Sequence, residues 1–234
     1  MFQIEIAGLA VRIENRFAHV REQCAGYIIS SKIPADISVS VSEEELRRET
    51  AKAPDSFPDD GYAESVIAYE KISNALPAFD AFVMHSSAMA VDGWGYAIAA
   101  ESGTGKTTQT RFWKDTLGER MTVINGDKPV YRFRDGKLMV YGTPWCGKEK
   151  WQTNASVPMK AVCLLERGEE NAVFPSAMVQ AGGFSPFARY GADHAFPVGE
   201  TRLKQEKTVH AAKIPKGRYP VFWKEDKTCV QGSS

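Results

Sequence analysis

The chain has 234 residues, 43% hydrophobic and 25% charged, and its 29 Lys and Arg balance its 29 Asp and Glu to a formal net charge of zero. This is globular composition, enough for one large domain or one domain with an appendage, with a core that needs no disulfides or metals. Zero net charge argues against bulk nucleic-acid binding, and no run approaches the roughly 18 apolar residues of a membrane span, so neither nucleic acid nor membrane is expected as a partner.

The opening MFQIEIAGLAVRIENRF carries Glu5 inside its first apolar run and has no basic leading region, so it does not read as a signal peptide. Cys24, Cys146, Cys163 and Cys229 lie far apart and form no CxxC pair. They read as reduced thiols of a cytoplasmic protein. FQIEIAG and LAVRIEN alternate apolar and polar residues as a half-buried strand pair does, and DISVSVS alternates again at 36–42. Ser42 precedes Glu45 at capping-box spacing, which predicts a helix through Arg48 towards Ala53. APDSFPDDG is a loop closed by Gly61. Tyr62 to Leu76 then reads as an amphipathic helix that buries Val66, Ile67, Tyr69 and Ile72 and stops at Pro77.

AFVMHSSAMAV and WGYAIAA flank Asp92-Gly93, a two-residue hairpin signal. The second strand runs into AESGTGKTTQTRFWKDTLG, a glycine-containing turn and then a helix that Gly118 terminates. MTVING reads as a strand, YRFR and KLMVYG flank a second hairpin at Asp135-Gly136, and VPMKAVCLLERG supplies a strand near 159–166. Beyond Pro175 the periodicity weakens. Arg202 to Ala212 reads as a short helix and residues 219–223 as a strand.

The sharpest motif is Ala100-Glu101-Ser102-Gly103-Thr104-Gly105-Lys106-Thr107, which fits the nucleotide-binding P-loop pattern except for Ala100 at its first glycine. Small residues let backbone N–H groups approach phosphates, and the following helix directs its positive end at them. The expected nucleotide contacts are Ser102, Gly103, Thr104, Gly105, Lys106, Thr107 and Thr108. Lys106 reaches the β- and γ-phosphates and the Thr107 hydroxyl ligates Mg²⁺, with Mn²⁺ as an alternative. Such a loop needs a metal-binding carboxylate at a neighbouring strand end, and Asp127, after the apolar stretch MTVI, supplies one. An Asn-Gly-Asp turn is the plainer reading of the same residues. His85 lies in the strand pair ahead of the loop, where a lone histidine is usually structural.

Together these residues resemble the HPr kinase/phosphorylase and phosphoenolpyruvate carboxykinase superfamily, and in particular its small bacterial HPr-kinase-like members. The segments that carry the resemblance are Ser102–Thr107, the hairpin containing His85, Thr110-Arg111-Phe112-Trp113, Asn125-Gly126-Asp127-Lys128-Pro129, Gly142-Thr143-Pro144-Trp145-Cys146-Gly147-Lys148 and LLERGEEN at 164–171. The resemblance implies an α/β P-loop fold with a mixed, twisted sheet and hairpins. It divides the chain into an N-terminal strand and helix extension of the core (1–78), a P-loop kinase core (79–175) and a poorly matched C-terminal segment (176–234). It also implies catalytic roles for Asp127, His85 and Lys106, ATP and Mg²⁺ as the bound groups, and room for a homo-oligomer. Lys148, on a Gly-Lys loop, is either a contact to phosphate or acidic substrate or one more exposed lysine, and Arg111, one helical turn after Thr107, either lines the site or solvates its helix, the second being the plainer reading. Two residues depart from the family pattern: Ala100 replaces a glycine, and Gly126 stands where the family has the first of two aspartates.

The activity implied is ATP-dependent phosphoryl transfer to a hydroxyl, on a protein serine or a small molecule. Carboxykinase chemistry needs a further basic substrate lobe that is not legible here. A nucleotide-sensing or partner-binding module without turnover is the non-enzymatic alternative.

Overall fold

The computed structural model describes residues 1–52 and 56–167, together with strands at 172–175, 209–214, 221–223 and 229–231. Its first element, β1 (Phe2–Ile6), pairs antiparallel with β2 (Leu9–Glu14). The turn between them places Ala7 and Gly8 at φ 54° and 71°, the left-handed geometry whose twist matches a hairpin. Alternation then does the sorting, with Ile4, Ile6, Leu9, Val11 and Ile13 all buried. β3 (Ile28–Ile29) joins β1, and β4 (Ile37–Ser40) runs parallel to β2, giving the order β3-β1-β2-β4.

Helices α1 (Ala18–Gln23), α2 (Glu43–Lys52) and α3 (Asp60–Ala75) pack with this sheet, α3 against α1, α2 and β4. The capping box at α2 forms in both directions: Glu45 N donates to Ser42 Oγ at 3.2 Å and Ser42 N to Glu45 Oε2 at 2.9 Å. α3 begins earlier than its apolar periodicity suggests, because Asp59 caps it by accepting from Tyr62 N at 2.7 Å. α1 was not anticipated. Its entry is held from afar, by the buried Glu64 carboxylate accepting from Arg16 N at 2.6 Å and Phe17 N at 3.0 Å.

The second sheet contains β5 (Ala81–Val83), β6 (Ser86–Val91), β7 (Trp94–Ala99), β8 (Met121–Asn125), β9 (Val130–Arg134), β10 (Lys137–Tyr141) and β11 (Ser156–Arg167), in the order β5-β9-β10-β11-β7-β6-β8. β12 (Ala172–Pro175) and β13 (Val209–Ile214) extend it beside the far half of β11. Both predicted hairpins form, with Asp92-Gly93 and Asp135-Gly136 at positive φ. The segment 81–91, which reads as one strand, is two: β5 pairs β9, while β6 lies between β7 and β8. Met84 and His85 are the break.

The predicted helix over Arg202–Ala212 is corrected in its last part. Residues 209–212 belong to β13, paired to β11 on one side and β12 on the other. Sheet pairing overrides the helical preference of the two alanines. Residues 202–208 lie outside the described residues. β14 (Val221–Trp223) falls within the predicted strand at 219–223 and pairs with β15 (Cys229–Gln231).

β7, β11 and β13 run parallel. β6 is antiparallel to β7 and to β8, so β8 points the same way as β7. Four chain positions therefore collect at one edge, the carboxyl ends of the parallel strands: the segment after β7, the break before β6, the segment after β8, and the end of β11. Ligand sites in α/β sheets form at this edge. Helix α4 (Lys106–Leu117) leaves from it and buries Trp113 against Met89, Ile98, Met121, Cys163 and Leu165. A second cluster joins the N-terminal sheet to the other through Ala81, Val130 and Trp145.

Candidate functional site

The segment between β7 and α4 has the local form its sequence predicts. β7 ends in buried Ile98 and Ala99, and Ala100 directly after it is buried too. Gly103 (φ +76°) and Gly105 (φ +122°) then adopt backbone angles that L side chains rarely take, and among the described residues nothing comes within 4 Å of where a Cβ would sit on either. α4 starts at Lys106 with no side-chain cap on its N-terminus. Its first ladder bond is Gln109 N to Gly105 O, at 2.9 Å, so the N–H groups of Lys106, Thr107 and Thr108 have no acceptor within the helix. The Thr110 hydroxyl anchors this turn to β6 through Ser87 Oγ, at 2.7 Å.

Lys106 is buried, and its ammonium donates to the Ala100 carbonyl at 2.8 Å and the Glu101 carbonyl at 3.3 Å. Burial pushes its pKa down from the ordinary lysine value, and the nearby Asp127 carboxylate opposes that shift. Thr104 and Thr107 are half-buried, whereas Ser102 and Thr108 are exposed.

The segment after β8 is organised by Asn125, which is fully buried. Its Oδ1 accepts from Asp127 N at 2.9 Å and Lys128 N at 2.8 Å, and its Nδ2 donates to the Thr143 carbonyl at 3.0 Å. Asn125-Gly126-Asp127 is thus a side-chain-templated turn, which holds Asp127 against the break before β6. Asp127 O accepts from Ser86 N at 3.0 Å, and His85 Nε2 lies 2.8 Å from Asp127 Oδ1. Burial pushes the Asp127 carboxyl up. The His85 hydrogen bond and the charges of His85, Lys128 and Lys106 outweigh burial, so the group sits below the usual carboxylate range. It is an anion at neutral pH.

The structure thus brings His85 onto Asp127, and Asp127 within electrostatic reach of Lys106. His85 belongs to neither strand of its predicted pair but to the two-residue gap between β5 and β6. Arg111 turns towards Glu149 (3.3 Å) and lies over the Trp151 ring (5.6 Å from its centroid). Lys148 is exposed on the same 146–151 segment. Trp145 is a packing residue, stacked on Tyr69 at 4.3 Å with its indole N–H on Ser65.

Sequence reading missed Asn125 as the organiser, and it took Gly147 only as part of the segment 142–148, without its close approach to Asp127. A Cβ at Gly147, itself at φ +80°, would lie 3.0 Å from Asp127 Cβ. The signal available was Asn-Gly-Asp directly after an apolar strand, which looks the same in a surface turn. A cleft of about 600 Å³ opens elsewhere, lined by Glu5, Gly8, Arg134, Lys137, Tyr141 and Asn154 among others. None of the predicted site residues lines it.

Fold and site define a mixed α/β protein with a glycine-bent loop leading into a helix at the carboxyl edge of its parallel strands. No protein-family model and no curated protein matches the chain. Among solved structures it is similar to the HPr(Ser) kinase/phosphatase from Coxiella burnetii at 11% identity and a TM-score of 0.33, over 58% of this chain and 86% of that one. So loose a superposition transfers no roles, and each role below is argued from this chain's own atoms.

Proposed function

We propose that the chain is an ATP-dependent phosphotransferase that binds a magnesium–nucleotide at residues 102–108 and moves the terminal phosphoryl group to a hydroxyl. The observation that carries this reading is the loop itself. Among the described residues, Gly103 and Gly105 have open space beside them and the helix N-terminus that follows has no side-chain cap, while Lys106 is buried at the same point. That arrangement suits a phosphate, because free N–H groups and a positive helix end both face an anion.

The donor set fits magnesium. The Thr107 hydroxyl and the Asp127 carboxylate offer hard oxygen ligands, and among the described residues no group of three or more His, Cys, Asp and Glu could hold an ion by itself. Magnesium commonly takes one or two protein oxygens, with phosphates and water completing its shell. Thr107 and Asp127 would hold it, and when bound it would offset the negative charge of the phosphates.

The His85–Asp127 pair supplies a route for the proton. A carboxylate oxygen can only accept here, so the contact to Asp127 puts a proton on His85 Nε2, and whenever the ring is neutral Nδ1 is its acceptor. The acceptor hydroxyl gives its proton to Nδ1 as its oxygen bonds to the γ-phosphorus. The bond from that phosphorus to the β–γ bridging oxygen breaks, and ADP leaves with the electron pair. Lys106 moves from the Ala100 and Glu101 carbonyls to the phosphates. With Gly126 in place of a second carboxylate, His85 carries the proton and Asp127 is left for the metal.

One observation favours the reading without turnover: a Cβ at Gly126 would meet the Cys146 carbonyl at 3.0 Å, so the site is closed around the missing carboxylate. Calorimetric titration with ATP, with and without Mg²⁺, tests both. Phosphotransfer requires Mg-dependent binding that Lys106→Ala and Asp127→Ala each weaken, and slow ATP hydrolysis that His85→Ala abolishes. Binding indifferent to Mg²⁺ and to both variants would sink it. Tight binding with no hydrolysis favours the sensor.

A further inference from the structure

Arg167 ends β11, and the parallel register that sets Leu164 opposite Ala99 brings that end beside the loop after β7. Its Nη2 donates to the Gly103 carbonyl at 2.8 Å. The N–H of the next residue, Thr104, donates to the Glu101 carbonyl at 3.2 Å. Both bonds belong to one peptide unit. In a trans peptide the C=O and N–H point in opposite directions, so a guanidinium holding the carbonyl also sets where the N–H points.

Apart from that turn bond to the Glu101 carbonyl, the glycines leave the unit's orientation weakly restricted. On its amino side the unit is joined to Gly103 (φ +76°), which has no Cβ to restrict it, and Gly105 (φ +122°) follows one residue later. Among the described residues, nothing packs where those Cβ atoms would be. Arg167 comes from 64 residues away in sequence, and its planar, permanently charged fork offers five donors in a rigid frame. The strand fixes its backbone, so the brace is anchored in the sheet.

We propose that Arg167 is a positioning residue for the phosphate site: its grip on the Gly103 carbonyl holds the 103–104 peptide in the orientation that keeps the loop open to an anion. This rests on the phosphate-site reading above and adds a residue that lies outside the loop's own motif. Because Arg167 grips the loop and not the ligand, its loss weakens nucleoside diphosphates and triphosphates equally. An arginine that reached the terminal phosphate would discriminate between the two.

The test uses the full chain as wild type, Arg167→Ala and Arg167→Lys, with two readouts. The first needs no nucleotide: hydrogen exchange of the Thr104 amide by NMR, with the Ile98 amide of β7 as control. Loss of a charge-assisted bond should speed Thr104 exchange in Arg167→Ala by roughly tenfold or more. Ile98 and the melting temperature should stay near wild type, and Arg167→Lys should restore part of the protection. The second is calorimetric affinity for Mg-ADP and Mg-ATP, which should both fall by the same factor, roughly tenfold. Unchanged Thr104 exchange overturns the proposal, and so does equal acceleration at Ile98 or a loss confined to ATP. A wild type that binds neither nucleotide refutes the phosphotransferase reading, and the exchange result then decides the brace by itself.

Discussion

Replacing Gly126 with aspartate restores the second carboxylate that the sequence resemblance implies, yet the structure predicts a damaged protein and not an activated one. A Cβ at residue 126 meets the Cys146 carbonyl oxygen at 3.0 Å and the Trp151 Cβ at 3.4 Å. Gly126 N also donates to the Trp151 carbonyl at 2.9 Å, so that neighbour is already tied to this backbone. Relieving contacts of a few tenths of an ångström in a packed turn costs about 1–2 kcal/mol. The added carboxylate then stands beside Asp127, itself anionic. Two charges roughly 6 Å apart repel by about 3 kcal/mol at an effective dielectric of 20. Gly126→Ala should therefore lose about 1–2 kcal/mol and Gly126→Asp about 4–5 kcal/mol at pH 7. The charge part has a sign that can be checked. Repulsion raises the folded-state carboxylate pKa, so the destabilisation is present at neutral pH and shrinks as pH falls and one group takes a proton. Urea denaturation at pH 7 and pH 5, followed by tryptophan fluorescence, measures both parts. A Gly126→Asp protein as stable as wild type with faster phosphoryl transfer would refute the reasoning.

Two further predictions concern the frame around the site. Gly142→Ala places a Cβ against the Thr153 carbonyl oxygen and 2.8 Å from the Ile124 carbonyl oxygen, both backbone atoms; it should lose about 3 kcal/mol or more, and an unchanged melting temperature would contradict this. Hydrogen bonds from Lys71 and from Ser42 N hold the Glu45 carboxyl at about 2, below its ordinary value of 4.5. Its contribution is present above about pH 4.5 and lost as pH falls towards 2. Glu45→Gln should flatten the stability–pH curve across that window while changing stability at pH 7 by less than about 1 kcal/mol, because the ion pair is partly exposed; an unaltered slope counts against the pairing.

How much of this protein is legible in its sequence depends on how local each feature is. The hairpins at Asp92-Gly93 and Asp135-Gly136 follow from residues that tolerate positive φ, and the cap at Ser42–Glu45 from two side chains one turn apart. The bend at 103–105 and the helix after it are local as well. The split of residues 81–91 is not. Ala81, Met84, Ser86, Ser87, Ala88 and Met89 are all buried, so the two serines do not alternate as solvent-facing residues would, and the exposed His85 at the break reads like any outward-facing strand residue. α1 was missed because Glu64 of α3 supplies its start. Asn125 looked like part of an exposed turn because its partners at Thr143 and Trp145 are remote in sequence.

The sequence by itself determined the pieces: a strand, a glycine-bent loop and a helix that leave N–H groups free, and an aspartate set after an apolar strand. Only the tertiary structure decided that His85 meets Asp127, that Lys106 lies within electrostatic reach of Asp127, and that Arg167 holds the Gly103 carbonyl. The reason is strand pairing. Placing β6 between β7 and β8, and β11 beside β7, carries four distant segments to one sheet edge. That register is set by hydrogen-bond ladders and buried faces spread over the whole sheet, which no local pattern encodes.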